Sequence, residues 1–360
     1  MTHEIKQLIQ KLITTHSLTI AEYTQLIQAQ NAEIRAYLAG VARELADQVY
    51  GKTVLIRGLI EISNICKNDC LYCGIRAGNK DCVRYRLTPD EILTCIHEGY
   101  RLGFRTFVMQ GGEDAWFTDD ILCDLLRTIK KQYPDCAVTL SLGERGEESF
   151  KNLRMAGADR YLLRHETADK PHYQQLHPKE MSFDTRMDCL QSLKQLGYQV
   201  GCGFMVQSPY QTAEQIAKDL KFIETFQPDM CGIGPFIPHK DTPFCNQNAG
   251  TLEMTCFLLS VVRIIHPYIL LPATTALGSI DAQGREKGIL SGANVVMPNL
   301  SPANVRDKYM LYNNKLSSGA EAGQNLQELK QRMTAIGYEV VVARGDVKRT
   351  NKKGVHTHDI

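Results

Sequence analysis

From residue 53 onward, short apolar runs rich in Val, Ile and Leu alternate with longer stretches whose apolar positions recur every three or four residues. This is the pattern of strands followed by amphipathic helices. Eight β segments are predicted, at 54–62, 106–110, 137–141, 160–166, 199–206, 230–234, 269–274 and 294–297. Capping boxes mark helix starts between them: Thr88-Pro89-Asp90-Glu91, with Pro at the first helical position, and Thr212-Ala213-Glu214-Gln215. Eight βα units predict a closed parallel α/β barrel over 51–300. An open doubly wound sheet uses the same alternation, but usually with fewer strands and a glycine-rich phosphate turn after the first. Here a cysteine loop follows the first β segment.

Residues 1–50 are predicted helical, with a capping box opening at Thr19 and Glu22 and with Leu26, Ile27, Ile34 and Leu38 at roughly helical spacing. They form an N-terminal cap rather than a domain. A tyrosine-bearing segment and a helix near 320–336 make a C-terminal extension over 301–345, and 346–360, with its basic run at 348–354, is expected to be a flexible tail.

Composition narrows the function classes. In 360 residues, 43% hydrophobic and 22% charged content provides for a large core, while Lys+Arg 41 against Asp+Glu 40 leaves no excess charge for nucleic acid or an anionic membrane. The longest apolar stretches, such as 257–262, are far short of the ~20 residues that span a bilayer. The first residues, MTHEIKQLIQKLITTHS, lack a secretory apolar region, so the expected location is the cytoplasm. The twelve cysteines are spread over a long chain and are expected to be reduced. Cys123, Cys189, Cys202, Cys231 and Cys256 lie in apolar runs and are expected to pack as small hydrophobes.

Three cysteines are clustered. The first β segment runs into Cys66-Lys67-Asn68-Asp69-Cys70-Leu71-Tyr72-Cys73, the spacing C-x3-C-x2-C. Thiolates suit iron–sulfur clusters or zinc, and three on one loop can converge on one inorganic centre. Zinc, or an all-cysteine cluster, would need Cys82 as a fourth ligand, but zinc ribbons usually come as two C-x2-C knuckles and Cys82 stands alone beside Arg84, Tyr85 and Arg86. Three thiolates on a four-iron cluster leave one iron without a protein ligand.

This loop resembles the signature of the radical S-adenosylmethionine (SAM) enzymes, in which SAM binds the open iron of a [4Fe–4S] cluster and one electron cleaves it to methionine and a 5′-deoxyadenosyl radical. The resemblance makes Cys66, Cys70 and Cys73 the cluster ligands and puts Tyr72 near the adenine. Gln110-Gly111-Gly112-Glu113 is similar to the family's GGE stretch, where backbone groups and the carboxylate receive the methionine ammonium. Thr139 and Ser141, two apart on one strand face, can orient a polar ligand or merely satisfy backbone groups. In 160–166 the same period puts Arg160, Leu162, Arg164 and Glu166 on one side, with Tyr161, Leu163 and His165 on the other. Inward charges are costly unless paired or bound to a ligand, so a functional lumen explains them better than a core, and His165 is read as structural.

Arg84-Tyr85-Arg86, Arg164-His165-Glu166-Thr167, 232–239, 272–276 and 293–299 resemble the HydE family of [FeFe]-hydrogenase maturases, over roughly 50–315. Methylornithine synthase and biotin synthase are relatives that fit less well. The resemblance implies that Arg164, Glu166 and Arg186 position SAM's carboxylate and ribose. It also implies that Arg160, Tyr309 and Tyr312 lie near a carboxylate-bearing sulfur compound and that Thr274 and Thr275 form an anion site. Helix packing explains the two tyrosines equally well. The implied reaction is attack of the adenosyl radical on a cysteine-derived sulfur of an iron-bound, organometallic precursor, under anaerobic conditions. Implied partners are a ferredoxin or flavodoxin electron donor and the other maturases HydF and HydG. Many HydE proteins bind an auxiliary [2Fe–2S] cluster through C-terminal cysteines; with no Cys after Cys256, no second cluster is expected. The loop 207–211 reads Gln-Ser-Pro-Tyr-Gln where Gly-Leu-Pro-Gly-Gln is expected, a loss of two glycines that bears on any adenosine contact there. A non-catalytic iron–sulfur carrier remains the alternative of another class, though it needs no inward Arg164 and Glu166.

Overall fold

A computed structural model describes residues 1–317 and 323–348. Its strands are β1 Thr53–Ile56, β2 Gly58–Ser63, β3 Thr106–Gly111, β4 Ala137–Ser141, β5 Arg160–Leu162, β6 Gln199–Cys202, β7 Met205–Val206, β8 Met230–Cys231, β9 Gly234–Pro235, β10 Val295–Val296 and β11 Glu339–Val341. The helices up to the middle of the barrel are α1 His3–Thr15, α2 Ile20–Ala29, α3 Ala32–Tyr50, α4 Pro89–Arg101, α5 Asp119–Gln132, α6 Glu147–Ala156, α7 Lys170–Leu176 and α8 Phe183–Gln195. Then come α9 Ala213–Phe226, α10 Leu252–Ile265, α11 Thr275–Ile280, α12 Gly284–Ile289, α13 Ala303–Arg306 and α14 Leu326–Ala335. The capping boxes at Thr19, Thr88 and Thr212 each form with both reciprocal hydrogen bonds.

The six strands β2-β3-β4-β5-β6-β8 pair in that order, all parallel. Single parallel bridges carry the circuit on, Met230 to Leu270 and Pro272 to Val295, after which β10 pairs with β1 and β1 continues through Arg57 into β2. The ring therefore closes. The predicted strand 269–274 survives only as those two bridge residues, in part because Pro272 has no N–H to donate. Apolar residues of the helices and of the outward strand faces form one continuous core that also takes in Ile9, Leu12, Leu26, Leu38 and Ala42 of α1–α3. The N-terminal helices pack outside the barrel, α3 on α10 and α2 on α9, so they share its core.

The C-terminus differs from expectation. β11 adds in parallel to β1, with Val54 opposite Val340. The following residues cross the N-terminal end of the barrel: Arg344 bonds Asp159 at 2.7 Å, and Asp346 accepts from Arg160 and Gln199, both at 2.7 Å. Lys348 donates to Val49 O at 2.7 Å. The tail assigned to 346–360 therefore begins with three fastened residues, 346–348, held by Arg160 and Gln199 of the barrel and by the end of α3; 349–360 lie outside the described residues. No helix of the described residues is long and apolar enough to cross a membrane.

Candidate active site

The 64–87 loop after β2 is folded around its own polar side chains. Arg84 donates to the carbonyls of Asn64, Ile75, Arg76 and Asn79 at 2.6–3.1 Å. Asn64 donates to Val83 O and Lys308 O and accepts from Tyr85 N–H. Tyr85 donates to Glu61 O at 2.7 Å, and Arg86 grips Asp114 through two bonds of 2.6 and 2.7 Å. The Arg84-Tyr85-Arg86 motif is thus a staple for the loop and for the turn after β3, not part of the site surface. So held, Cys66, Cys70 and Cys73 face one cavity of about 340 Å³ at the C-terminal ends of the strands. Burial pushes the Cys73 thiol up to about 12 and raises Cys66 and Cys70 as well, Cys70 with added repulsion from its two neighbours. Such thiols ionise only when a cation takes the proton's place. Cys82 does not line this cavity, and no three His, Cys, Asp or Glu side chains among the described residues converge as ligands to a single metal ion.

The wall beside the thiols carries the other predicted cofactor contacts: Tyr72, Gln110, Gly111, Gly112, Glu113, Thr139, Ser141, Arg164, Glu166 and Arg186 all line the same cavity. Lys67 N–H donates to Glu113 O, and Glu113 N–H points at Cys66 Sγ at 3.4 Å, tying this turn to the cysteine loop. Gly112 permits that approach, because a Cβ there would lie 2.3 Å from Ile65 O and 2.7 Å from Cys66 Cβ. Gly112→Ala is therefore expected to displace Cys66 and to lower iron incorporation severalfold with little loss of secondary structure, read by iron analysis and circular dichroism. The Tyr72 hydroxyl donates to His177 Nε2, 3.1 Å away, since the neutral ring spends its N–H at Nδ1 on Tyr173 O. Arg186 bonds Glu144 at 2.5 Å and Arg164 O at 2.7 Å.

Several of these polar atoms make no aligned hydrogen bond within the protein, although Glu113 Oε2 lies 3.1 Å from Lys67 Nζ. Arg164 Nη2 and Glu166 Oε2 face each other at 3.1 Å without an aligned hydrogen bond, and they, Arg164 Nε, Glu113 Oε2 and Thr139 Oγ1 are buried and unsatisfied. Buried polar groups gathered in this way around one cavity call for partners that a bound ligand can supply. Donors and acceptors of both signs beside three thiols fit a zwitterionic, hydroxyl-bearing nucleotide such as SAM next to a cluster.

Thr274, Thr275, Tyr309 and Tyr312 line the same cavity. Arg160 does not. It is fully buried at the opposite end of β5, bonded to Thr106, Gln199, Arg344 O and Asp346. Position at the start of its strand puts it below the cavity floor, and the C-terminal segment neutralises it. A third cavity-lining arginine besides Arg164 and Arg186 is Arg57, whose Nη1 meets Met230 Sδ at 2.8 Å and whose Nε and Nη2 have no hydrogen-bond partner among the described residues. Glu61, also unnamed by the sequence reading, accepts from Asn299 at 2.8 Å and pairs with buried Lys315 at 2.7 Å. The signal was present: Arg57, Leu59 and Glu61 are two apart, two charges on one face of an otherwise apolar strand. None of 207–211 lines the cavity. Gln207 and Tyr210 adopt left-handed φ of 55° and 67°, and the Gln211 side chain, accepting from Gln207 N–H and donating to Met205 O, holds the turn that glycines would otherwise relax.

Comparison with known proteins agrees with this geometry. The Radical SAM superfamily profile matches residues 60–223. The [FeFe] hydrogenase maturase subunit HydE of Thermotoga maritima is 45% identical over 77% of this chain and 78% of that protein. The 3-methylornithine synthase of Methanosarcina barkeri is 27% identical over 93% of each. Among solved structures, methylornithine synthase matches with a TM-score of 0.79 at 24% identity, covering 93% of this chain and 97% of that one. The hydrogenase maturase HydG matches at 0.77 and 20% identity, covering 93% and 75%. These two likenesses establish the shared fold.

Proposed function

This chain belongs to the HydE family of the radical SAM superfamily, and on that premise we propose that Cys66, Cys70 and Cys73 hold a [4Fe–4S] cluster with one iron left open to SAM. The observation that supports this best is the meeting, in one cavity, of three half-buried cysteines with Arg164, Glu166, Glu113 and Thr139, each of which has a buried polar atom without a hydrogen bond. Bound there, cluster and SAM supply a 5′-deoxyadenosyl radical from one electron and one SAM. The chain's residues orient the reactant. Glu113, with the backbone at Gly111 and Gly112 beside Gln110, takes the methionine ammonium, while Arg164, Glu166 and Arg186 hold the carboxylate and ribose. Tyr72 lies on the adenine side, and Thr139 and Ser141 complete the polar wall.

The substrate, a sulfur-containing, carboxylate-bearing and iron-bound precursor of the di-iron subcluster, occupies the part of the cavity lined by Thr274, Thr275, Tyr309 and Tyr312. Arg57 replaces Arg160 as the group that grips its carboxylate, because an unpaired buried guanidinium gains most from a bidentate anion. No second cluster is needed. A ferredoxin or flavodoxin is the electron donor, and HydG and HydF are partners in the same assembly. The test is anaerobic reconstitution with iron and sulfide followed by SAM and dithionite. Methionine and 5′-deoxyadenosine in equal amounts are expected; formation of neither by a fully loaded protein would return the reading to a cluster carrier.

A further inference from the structure

Beneath the Arg164 and Glu166 edge lies a buried pair with no part in the chemistry above. His165 and Asp219 are both fully enclosed, with Nε2 and Oδ1 3.3 Å apart. The Gly203 N–H donates to His165 Nδ1 at 3.3 Å, so the neutral ring carries its proton on Nε2, which faces Asp219 across 3.3 Å without an aligned hydrogen bond. Burial, followed by the charges of Arg164 and Arg186, pulls the imidazole down to about 3 and keeps it neutral. Asp219 in turn accepts the Ala168 N–H at 2.5 Å. The pair thus spans from Gly203 to Ala168, on either side of the turn that carries Glu166.

That turn is strained. Glu166 has φ 64°, in the left-handed region where a long side chain is costly. Its backbone is pinned by a bond from its N–H to Gly203 O at 3.0 Å and another from Met205 N–H to its own carbonyl at 3.2 Å, while Thr167 N–H folds back on His165 O at 2.8 Å. Gly203 itself cannot shift or be replaced freely, since a Cβ there would lie 2.0 Å from Gly232 O. Strain of this kind persists only where the surroundings over-determine it.

We infer that His165 and Asp219 are positioning residues for SAM: together they hold the 164–168 turn in the strained form that aims the Arg164 and Glu166 side chains into the cavity. The inference rests on the reading of those two side chains as SAM contacts. Phe204 and Phe222, with ring centroids 6.1 and 4.6 Å from His165, make an apolar shell in which phenylalanine can replace the imidazole. In His165→Phe the Gly203 N–H loses its acceptor, Asp219 is left with the Ala168 N–H beside an apolar ring, and the turn relaxes.

The experiment uses the reconstituted full chain and measures iron content, melting temperature, SAM Kd by equilibrium dialysis, and the change in the reduced cluster's paramagnetic resonance on adding SAM. His165→Phe is expected to raise the Kd about tenfold and to weaken the spectral response at saturating SAM, with iron loading unchanged. His165→Gln, which restores an N–H near Asp219, recovers most of the loss. If His165→Phe does not fold, Asp219→Leu against Asp219→Asn makes the same comparison, the amide keeping an acceptor for Ala168 and losing less. Glu166→Gln separates the two levels. A raised Kd there with none in His165→Phe or Asp219→Leu overturns the clamp, whereas an unchanged Kd in Glu166→Gln overturns the SAM reading beneath it.

Discussion

Cys70→Ala should yield a folded chain that assembles no [4Fe–4S] cluster and makes no 5′-deoxyadenosine. Cys70 is enclosed beside Met181, with its Sγ 3.6 Å from the thioether sulfur. Burial first, and then the neighbouring Cys73 and Cys66, raise its thiol well above the ordinary range. Three such thiolates are tolerable together only around a cationic centre, and two cannot retain it against loss to solvent chelators. Loss of one sulfur from a partly buried loop costs the fold only about 1 kcal/mol, so secondary structure and melting temperature of the apoprotein should stay near the parent values. Iron and sulfide analysis, the visible absorption band and chromatographic product assay report the effect together. Retention of cluster and cleavage by this variant would remove the basis of the assignment.

The second large effect concerns stability. Asp346→Ala leaves the fully buried Arg160 charge with only neutral partners, Thr106, Gln199 and the Arg344 carbonyl. Uncovering a buried charge usually costs about 3–5 kcal/mol. Asp346 is itself 39% exposed, so water screens the pair and about 2 kcal/mol is the reasonable expectation. Burial acts to raise the Asp346 carboxyl, but the Arg160 charge and the bonds from Gln199 and Arg160 outweigh it and hold the group down at about 2. A folded value below the unfolded one means that its stabilisation is complete above about pH 4 and is lost as pH falls towards 2. The variant should therefore melt several degrees lower at pH 7, with the gap to the parent closing in acid. Equal melting temperatures at pH 7 would mean that the C-terminal segment does not close the barrel floor.

The alternation of apolar runs and capped helices was enough to recognise a parallel barrel, because each βα unit carries its own period and its own start signal. What it could not carry was contact at long range. Asp346 and Arg160 are 186 residues apart, and nothing local to either marks the pair. Strand parity grouped Arg160 with Arg164 and Glu166, but β5 ends at Leu162, Leu163 lines the cavity beside Leu162, Arg164 and Glu166, and parity gives a face and not a height. Arg160 opens its strand and so lies at the barrel's lower end, whereas Arg164 and Glu166 follow it and reach the cavity. The rule that ligands bind at C-terminal strand ends would have separated them. Arg57 and Glu61 were legible by the same parity and went unread because an apolar run surrounds them. The strained turn at Glu166 has no sequence signal, since a glutamate gives no hint of a positive φ.

The central claim is that one iron of a three-thiolate cluster is open to SAM. It is tested most directly by electron–nuclear double resonance on the anaerobically reduced, reconstituted protein with SAM labelled at its amino nitrogen and carboxylate oxygens. Hyperfine coupling from both labels to the cluster is the predicted result. A loaded protein showing no coupling from either label, or one that takes up stoichiometric zinc in place of iron, would contradict it.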